Sequence, residues 1–408
     1  MVKSAKESEL KIPKDAAEFF NPIHAFAQKS DKDLKLGFLL FKLISFPFFS
    51  QIFIKVGASI RKLPWPTSYI IKKTVFRQFC GGESVEESLP LVNDLAKSGV
   101  TAILDYSAES KNTEDDFLAS YTQIEKTIVM ASHEQNNTGR LFAVFKPTAL
   151  VDTKVLEAVS SAQNLSDSEQ KHWNTFVERV DALCALAKRR DIALLIDAEE
   201  SWFQNAIDQV VLTMMIKYNK EQAVVYNTIQ LYRHDRLAYL QALYAETVKN
   251  AVFLGLKLVR GAYLEKENLR AKQLMYESPI QKNKKNTDSD FDAAVEFCLE
   301  NINRISVFIA THNADSTFKA LKKMQVLNLA NSDERVVFSQ LYGMGDHLTY
   351  NLAKAGYRAT KYLPFGPIKE VMPYLLRRIQ ENSSVRGQAG RELQLISQEL
   401  RRRNQERI

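Results

Sequence analysis

From residue 98 onward, short apolar runs alternate with longer segments of helical periodicity, and this alternation limits the possible folds more than any other feature. The eight runs are VTAILDY (100–106), LFAVFKP (141–147), ALLIDAE (193–199), VVYNTIQLY (224–232), FLGLKLVRGAY (253–263), ISVFIATHN (305–313), VVFSQLYG (336–343) and ATKYLPFG (359–366). Their apolar residues are mostly consecutive and do not alternate with polar ones, which predicts parallel strands buried on both faces. The segments between them, such as 176–190 and 236–251, carry apolar residues at helical spacing.

Eight strands, each followed by a helix, predict an α/β fold of the (β/α)8 barrel type. An open, doubly wound sheet is the structural competitor. No GxGxxG follows any of the strands, so the sequence does not support a Rossmann cofactor site. The scarcity of glycine (14) and proline (11) argues against a turn-rich β-sandwich.

The predicted barrel defines three parts of the chain. Residues 1–90 lack the alternation and are predicted to be an α-helical N-terminal arm, residues 91–385 the barrel, and residues 386–408 a charged C-terminal tail. Within the arm, the apolar stretch 37–56 is long enough to span a bilayer, but Lys42, Pro47 and Lys55 interrupt it. A helix docked on the protein's own core is the favoured interpretation, a helix at a membrane interface the second, and a transmembrane helix the third.

The charge and the cysteines limit the partners and the compartment. A net charge of +7 without a long basic run or a binding motif argues against nucleic acid, although it leaves room for anionic ligands or a membrane surface. Cys80, Cys184 and Cys298 are scattered, which suits a reducing compartment, and the histidines and cysteines have no zinc-ligand spacing, so we expect no metal site. The first residues do not resemble a secretory signal or an acid-poor leader, so we expect a bacterial cytoplasmic protein, with peripheral contact on the inner face of the membrane left open.

Polar residues follow almost every predicted strand. Because the carboxyl ends of barrel strands meet at one mouth, these residues are expected to converge there. Each of them alone has an ordinary explanation as a cap, a turn residue or a solvated side chain. They are Asp105, Lys146, Asp197, Gln230, Arg260, His312, Gln340 and Tyr362.

The last predicted helix of the barrel, GPIKEVMPYLLRRIQEN (366–382), carries a pair of arginines. Helical spacing places Tyr374, Arg377, Arg378 and Glu381 on neighbouring parts of one surface. Paired guanidinium groups suit a carboxylate or a phosphate. A solvated arginine pair on an exposed helix remains the alternative.

Several of these motifs together resemble the flavin-dependent proline dehydrogenase family, in its monofunctional form. The resemblance covers about residues 98–385 and rests on KLVRGAY (257–263), ATHNADS (310–316), QLYGMGD (340–346) and YLPFGPIKEVMPYLLRRIQENSS (362–384), with IDAEE (196–200) and the Lys146 strand in the same order. It implies a distorted (β/α)8 barrel that binds FAD and oxidises L-proline to Δ1-pyrroline-5-carboxylate in proline catabolism. Electrons are then expected to pass to a membrane quinone.

The resemblance also implies a role for each matching residue. Asp197 and Lys257 are expected to be catalytic. Substrate binding is expected from Lys146, Tyr362, Tyr374, Arg377 and Arg378. Cofactor contacts are expected from Ala198, Gln230, Val259, Arg260, Gly261, Ala262, Thr311, His312, Asn313, Gln340 and Glu381.

Two positions depart from the family pattern. Many bifunctional members have Arg where this chain has Lys257, and they often have Trp where this chain has Leu264. Two other functions stay open at this point. One is a barrel that has lost catalysis and binds anionic metabolites or a partner, and the other is a barrel enzyme that holds a phosphorylated substrate through Arg377 and Arg378.

Overall fold

The structure is a computed structural model that describes residues 16–21, 25–26, 29–44, 71–138, 141–384 and 388–406; the side chains of residues 17, 135–138, 381–384 and 388–389 are outside this description. Eight parallel strands form a closed barrel in chain order. They are β1 (Val100–Tyr106), β2 (Phe142–Phe145), β3 (Ala193–Ile196), β4 (Val225–Gln230), β5 (Leu254–Val259), β6 (Ile305–Ala310), β7 (Val336–Leu341) and β8 (Ala359–Phe365). The predicted barrel is confirmed, and β8 closes it by pairing with β1 along Val100–Tyr106.

Helices surround the barrel and follow the strands. Those after β1 to β4 are Glu114–Thr138, Thr153–Ser160, Asp167–Arg189, Ser201–Tyr218 and Arg236–Lys249. Those after β5 to β8 are Leu264–Leu274, Lys284–Glu300, Ala314–Val326, Asp346–Lys354 and Ile368–Ser384, the last of which we call the mouth helix.

The strands are buried on both faces, as their apolar runs predict. The outer faces join the surrounding helices in one large core, and the inner faces fill the barrel with a separate cluster that includes Phe142, Phe308 and Tyr226. The ring of Phe308 meets the edges of both other rings, with centroids 4.8 and 5.3 Å apart. Tyr362 of β8 belongs to this inner cluster and lies at its upper end, toward the mouth. The barrel is therefore a packed core whose free space is at the carboxyl ends of the strands.

The arm and the C-terminal residues pack together outside the barrel. The arm contains Ala16–Phe19, the arm helix Asp31–Ile44, a π-helical turn Lys72–Phe76, Arg77–Phe79 and Val85–Ala96. The interval 386–408, expected to be a charged tail, contains the helix Gln388–Gln405, which we call the C-terminal helix. Its Leu393, Ile396 and Leu400 recur at helical spacing and pack against the apolar face of the arm helix, and this explains why the segment is ordered.

The stretch 37–56 is only partly described. Residues 37–44 complete the arm helix, whose Leu40, Phe41 and Ile44 are buried against the protein. Residues 45–56 lie outside the described residues. No helix in the described ranges is both long enough and apolar enough to cross a membrane.

Candidate active site

A cavity of about 840 Å³ opens at the carboxyl ends of the strands, beneath the mouth helix. Cofactor and ligand sites usually occupy about 300–1,000 Å³, so this cavity has the size of a large cofactor site. Apart from Glu381, whose side chain is not described, every residue to which the resemblance assigns a role lines the cavity, whereas Asp105 is buried and does not line it. The lining residues with an assigned role are Lys146, Asp197, Ala198, Gln230, Lys257, Val259, Arg260, Gly261, Ala262, Thr311, His312, Asn313, Gln340, Tyr362, Tyr374, Arg377 and Arg378.

The floor of the cavity is a buried network of four charged side chains and one tyrosine, which lie in or directly after five of the strands. Lys146 Nζ lies 3.4 Å from both Asp105 Oδ2 and Asp197 Oδ2. Tyr362 Oη donates to Asp197 Oδ2 at 2.8 Å and accepts from Lys146 Nζ at 3.2 Å. Lys257 pairs with the other oxygen of Asp197, and its ammonium lies 5.0 Å from the ring centre of Tyr362. Each of these side chains therefore has at least one charged or hydrogen-bonded partner within the network.

The network fixes the protonation states of its members. Burial lowers the pKa of Lys146, but the carboxylates of Asp105 and Asp197 outweigh burial and leave that pKa raised. Burial raises the pKa of Asp197, but Lys257 and Lys146 outweigh it and leave that pKa lowered. Burial and the same two carboxylates raise the pKa of Tyr362 well above its usual value. At neutral pH, the floor therefore presents a protonated lysine, an ionised aspartate and a neutral tyrosine.

Arg377 reaches the mouth of the cavity and forms a two-point ion pair with Glu109. Its Nη2 donates to Glu109 Oε2 at 2.7 Å, and its Nη1 donates to Oε1. Glu109 lies in the loop after β1, and its side chain is only 6% exposed. Burial raises the pKa of Glu109, but Arg377 outweighs burial and lowers it, so the pair is ionic.

Aromatic rings support both arginines of the mouth helix. The guanidinium of Arg377 lies 5.3 Å from the ring centre of Tyr263, and that of Arg378 lies 5.1 Å from the ring centre of Tyr374. The helix continues through Pro373, so the sequence spacing holds and all three predicted residues of this helix with described side chains face one cavity.

The β4 and β5 side of the cavity is built largely from backbone and fixed side chains. Gln230 donates to the carbonyl of Glu199 at 2.7 Å. Arg260 is held by Asp288 at 2.7 Å and by Ser316 at 2.9 Å, so its guanidinium also ties β5 to the neighbouring helices. Gly261 has a φ of +141°, and a Cβ there would lie 2.4 Å from the ring of Tyr232. Only glycine allows the backbone to approach the cavity at this point.

The β6 and β7 side is ordered by hydrogen bonds between its own residues. Gln340 donates to the carbonyl of Thr311 at 3.1 Å and accepts from Thr349 at 2.8 Å. Asn313 caps the helix Ala314–Val326 through its side chain. Burial, helped by nearby Lys361, lowers the pKa of His312 to about 3, so this histidine is neutral.

Glu109 and Glu199 are site residues that the sequence motifs do not predict. Only the position of Glu109, shortly after the end of β1, gives a weak signal for it. Glu381, expected to contact the cofactor, has a side chain outside the described residues, so its role stays a prediction. Glu199, also missed, is buried behind Gln230 and accepts from Thr148 N at 3.0 Å and Thr148 Oγ1 at 2.6 Å.

A closed parallel barrel with buried cations and a cofactor-sized cavity at its mouth is typical of a barrel enzyme acting on an anionic substrate. Residues 89–391 match the family model of proline dehydrogenase. The chain belongs to the proline dehydrogenase family, as the sequence motifs predict, and is therefore an oxidoreductase.

Relatives of known name agree with this family. The chain is 35% identical over 330 residues to the carbapenem antibiotics biosynthesis protein CarD of Pectobacterium carotovorum subsp. carotovorum, covering 80% of this chain and 83% of that protein. It is 30% identical over 429 residues to the mitochondrial proline dehydrogenase 1 of Dictyostelium discoideum, covering 93% of this chain and 74% of that protein.

Among solved structures, the fold resembles proline utilization A from Bdellovibrio bacteriovorus, inactivated by N-propargylglycine. The TM-score is 0.77 at 19% identity, over 91% of this chain. The matched region is 41% of that longer protein. At this identity the likeness concerns the fold alone.

Proposed function

We propose that this protein oxidises L-proline to Δ1-pyrroline-5-carboxylate with FAD as cofactor, as the first step of proline catabolism, and passes the electrons to a membrane quinone. The observation that carries the proposal is the convergence of Lys146, Tyr362, Tyr374, Arg377 and Arg378 on one cavity. Together they offer positive charge for a carboxylate and aromatic surface for a small ring.

The substrate carboxylate is assigned to the cations at the mouth. Arg377 and Arg378 offer planar groups suited to two-point hydrogen bonds, and the raised pKa of Lys146 keeps its charge. Arg377 is already paired with Glu109, so an incoming carboxylate must share or displace that pair. The pyrrolidine ring is assigned to the space between Tyr362 and Tyr374.

Removal of hydride from C5 requires a neutral substrate nitrogen with a free lone pair. The floor residues cannot supply a strong base for its proton. Lys146 and Tyr362 are protonated at neutral pH, and the lowered pKa of Asp197 makes that carboxylate a weak acceptor. Burial raises the pKa of Asp105, but this carboxyl is fully buried and does not line the cavity, so it cannot reach the substrate. We assign the amine proton to solvent, and the floor residues to orientation.

The residues that line the cavity fit a flavin dinucleotide. Lys282 and Lys284, just before and at the start of the helix Lys284–Glu300, line the cavity and suit a diphosphate. Ala198, Val259 and Ala262 form an apolar wall that suits a ring system. Gly261 brings backbone close to the cavity where a side chain would not fit. FAD, when bound, supplies the hydride-accepting ring. Gln230, Lys257 and Arg260 are the side chains that would hold it, and Asp197 fixes Lys257 for that task.

We place the protein in the cytoplasm, with peripheral contact on the inner face of the membrane, because the proposed acceptor is dissolved in the bilayer. The assigned contact is residues 45–56 of the basic, Phe-rich stretch 37–56, because Leu40, Phe41 and Ile44 in its first part are buried against the protein. Flotation with anionic liposomes should depend on this stretch and weaken with salt. Absence of flotation, with or without proline, would contradict the membrane contact and leave the chemistry standing.

The chemistry is tested on the purified protein. The bound flavin is released and identified by mass, and L-proline-dependent reduction of a soluble quinone analogue is measured. Arg377→Met should abolish most of this activity at low proline concentration. Arg179→Met is the matched control, because Arg179 forms an ion pair with Glu114 among the outer helices, away from the cavity. A protein without flavin that responds to phosphorylated ligands would instead support the phosphate-binding alternative.

A further inference from the structure

The loop after β7, Tyr342–Asp346, which we call the β7 loop, packs directly on the cofactor side of the cavity. Two of its glycines, Gly343 and Gly345, have φ values of +81° and +64°. A Cβ at Gly345 would lie 2.7 Å from His312 Nδ1 and 3.1 Å from Gln340 Cγ. His312 and Gln340 both line the cavity, so a displacement of the β7 loop would also displace these two side chains.

Asp346, at the end of this loop, joins two lysines from different parts of the chain. Its Oδ1 lies 2.7 Å from the ammonium of Lys361 on β8, and its Oδ2 lies 2.6 Å from the ammonium of Lys29 in the arm. Lys361 is 1% exposed and also donates to the carbonyl of Met344 at 2.7 Å. The loop is thus held to the barrel wall and to the arm by one carboxylate.

The C-terminal helix holds the same loop from a third direction. Glu392 accepts from the backbone N–H of Gly345 at 2.8 Å. Arg403 of the same helix donates to the carbonyls of Phe26 and Lys29 at 2.6 and 2.8 Å. It therefore holds the backbone of the arm at Lys29, the residue whose side chain pairs with Asp346. The arm and the C-terminal helix therefore support each other and the loop.

None of the four ionic residues that meet at the β7 loop lines the cavity; they are Lys29, Asp346, Lys361 and Glu392. We propose that Asp346 is a positioning residue for the cofactor, and that the arm and the C-terminal helix clamp the β7 loop against His312 and Gln340 through Lys29 and Glu392. This inference rests on the proposed function, because the cofactor concerned is FAD. The arm and the C-terminal helix, both outside the barrel, thereby help to retain the cofactor.

These contacts stabilise the position of the β7 loop because displacing the loop leaves a buried charge and a hydrogen-bond donor without their partners. Moving the loop would separate Lys361, a buried ammonium, from Asp346, and would leave the Gly345 N–H without its carboxylate. A buried charge or donor that loses its partner is strongly unfavourable. Removing Lys29 instead leaves the buried Lys361–Asp346 pair in place while loosening the hold of the arm.

The test therefore uses Lys29→Met, with Lys29→Arg as the conservative variant. Lys217→Met is the control for loss of a surface ion pair, because Lys217 pairs with Asp181, 2.7 Å apart, between outer helices and away from the cavity. Two quantities are measured in the full-length protein. They are the dissociation constant of FAD, by titration of the flavin-free protein, and hydrogen exchange of the backbone in residues 340–349.

We expect Lys29→Met to raise the FAD dissociation constant about fivefold or more, the usual lower range for coupling between two sites. Exchange in 340–349 should accelerate, the KM for proline of the FAD-saturated enzyme should stay within about twofold, and Lys29→Arg should restore FAD binding. Unchanged FAD binding in Lys29→Met, or an equal loss in Lys217→Met, would overturn the clamp. If the wild-type protein binds no FAD, the proposed function itself fails.

Discussion

Arg377 and Glu109 face each other at the mouth of the barrel in a two-point ion pair, although 267 residues separate them in the chain. The pair occupies the guanidinium that the substrate carboxylate is expected to use. Glu109 therefore competes with the proposed substrate carboxylate for Arg377. Breaking such a buried pair from one side leaves the other charge uncompensated.

The Arg377–Glu109 ion pair predicts that Arg377→Met raises the KM for proline more when Glu109 is present than when Glu109 is also replaced by Gln. Arg377→Met removes a charge-assisted hydrogen bond worth about 1.5–3 kcal/mol, so the KM for proline should rise by about one to two orders of magnitude. Part of that loss should come from the unpaired carboxylate of Glu109 repelling the substrate. Adding Glu109→Gln to Arg377→Met should therefore recover part of the loss. Steady-state kinetics of the single and double variants provide the measurement, and a double variant no better than the single one would contradict this role of Glu109.

Arg378→Met gives a second check on the same carboxylate site. Arg378 stacks near Tyr374 and lines the cavity, so its loss should also raise the KM for proline by about one to two orders of magnitude while FAD stays bound. Flavin content is measured alongside the kinetics. Unchanged proline kinetics in both arginine variants would exclude the mouth helix as the carboxylate site.

Tyr362 is expected to control which ring fits the cavity. Its hydroxyl is fixed between Asp197 and Lys146, so the bulk of the ring beside the substrate is fixed as well. Tyr362→Ser should weaken proline binding and improve the relative use of trans-4-hydroxy-L-proline, by about 1–3 kcal/mol in the ratio of kcat/KM values. A ratio that does not move, with flavin still bound, would show that Tyr362 does not touch the substrate ring.

The buried carboxyl of Glu199 predicts a specific dependence of stability on pH. Burial, with Glu200 close by, raises the pKa of Glu199 to about 8, whereas an unfolded glutamate has a pKa of about 4.3. Between these values the folded protein holds a proton that the unfolded chain has lost, so this residue's contribution to stability falls as pH rises. Glu199→Gln lacks this titration. Urea unfolding at several pH values between about 5 and 8 should show the variant gaining stability relative to wild type as pH rises; a constant difference would contradict the assignment.

Gly261→Ala tests the close approach of the backbone to the cavity. The new Cβ would collide with the ring of Tyr232, and the φ of +141° is unfavourable for any other residue. Such strain costs about 1–3 kcal/mol, and relief of it must move the loop after β5. We expect lower flavin occupancy in the purified variant. Gly356→Ala is the control, since Gly356 also has a positive φ, of +81°, but lies away from the cavity. Equal flavin content in both variants would count against a cofactor at this loop.

The barrel could be predicted from the sequence because each strand is buried on both faces and its apolar run is consecutive. The residues at the strand ends could be predicted to converge for the same reason, since topology alone brings the carboxyl ends of parallel strands to one mouth. The ion pairs and hydrogen bonds between the site residues could not be predicted in this way. Nothing in the sequence around Glu109 indicates a partner on the mouth helix, because that ion pair depends on how the loop after β1 folds over the cavity.

The C-terminal segment shows a second limit. Its many charges suggested a tail, because they outnumber the apolar residues Leu393, Ile396 and Leu400. Those residues form a stripe only once the segment is helical, and the stripe needs the arm helix as its partner. Packing between segments this distant along the chain is decided by tertiary structure and not by local pattern.

The decisive measurement of the proposed function is an anaerobic titration of the purified, FAD-loaded protein with L-proline, followed in the visible absorption of the flavin. The proposed function predicts that L-proline bleaches this absorption and that quinone restores it. It also predicts that Arg377→Met, with the same flavin content, needs a much higher proline concentration than Arg179→Met. A flavin spectrum that proline leaves unchanged would contradict the account.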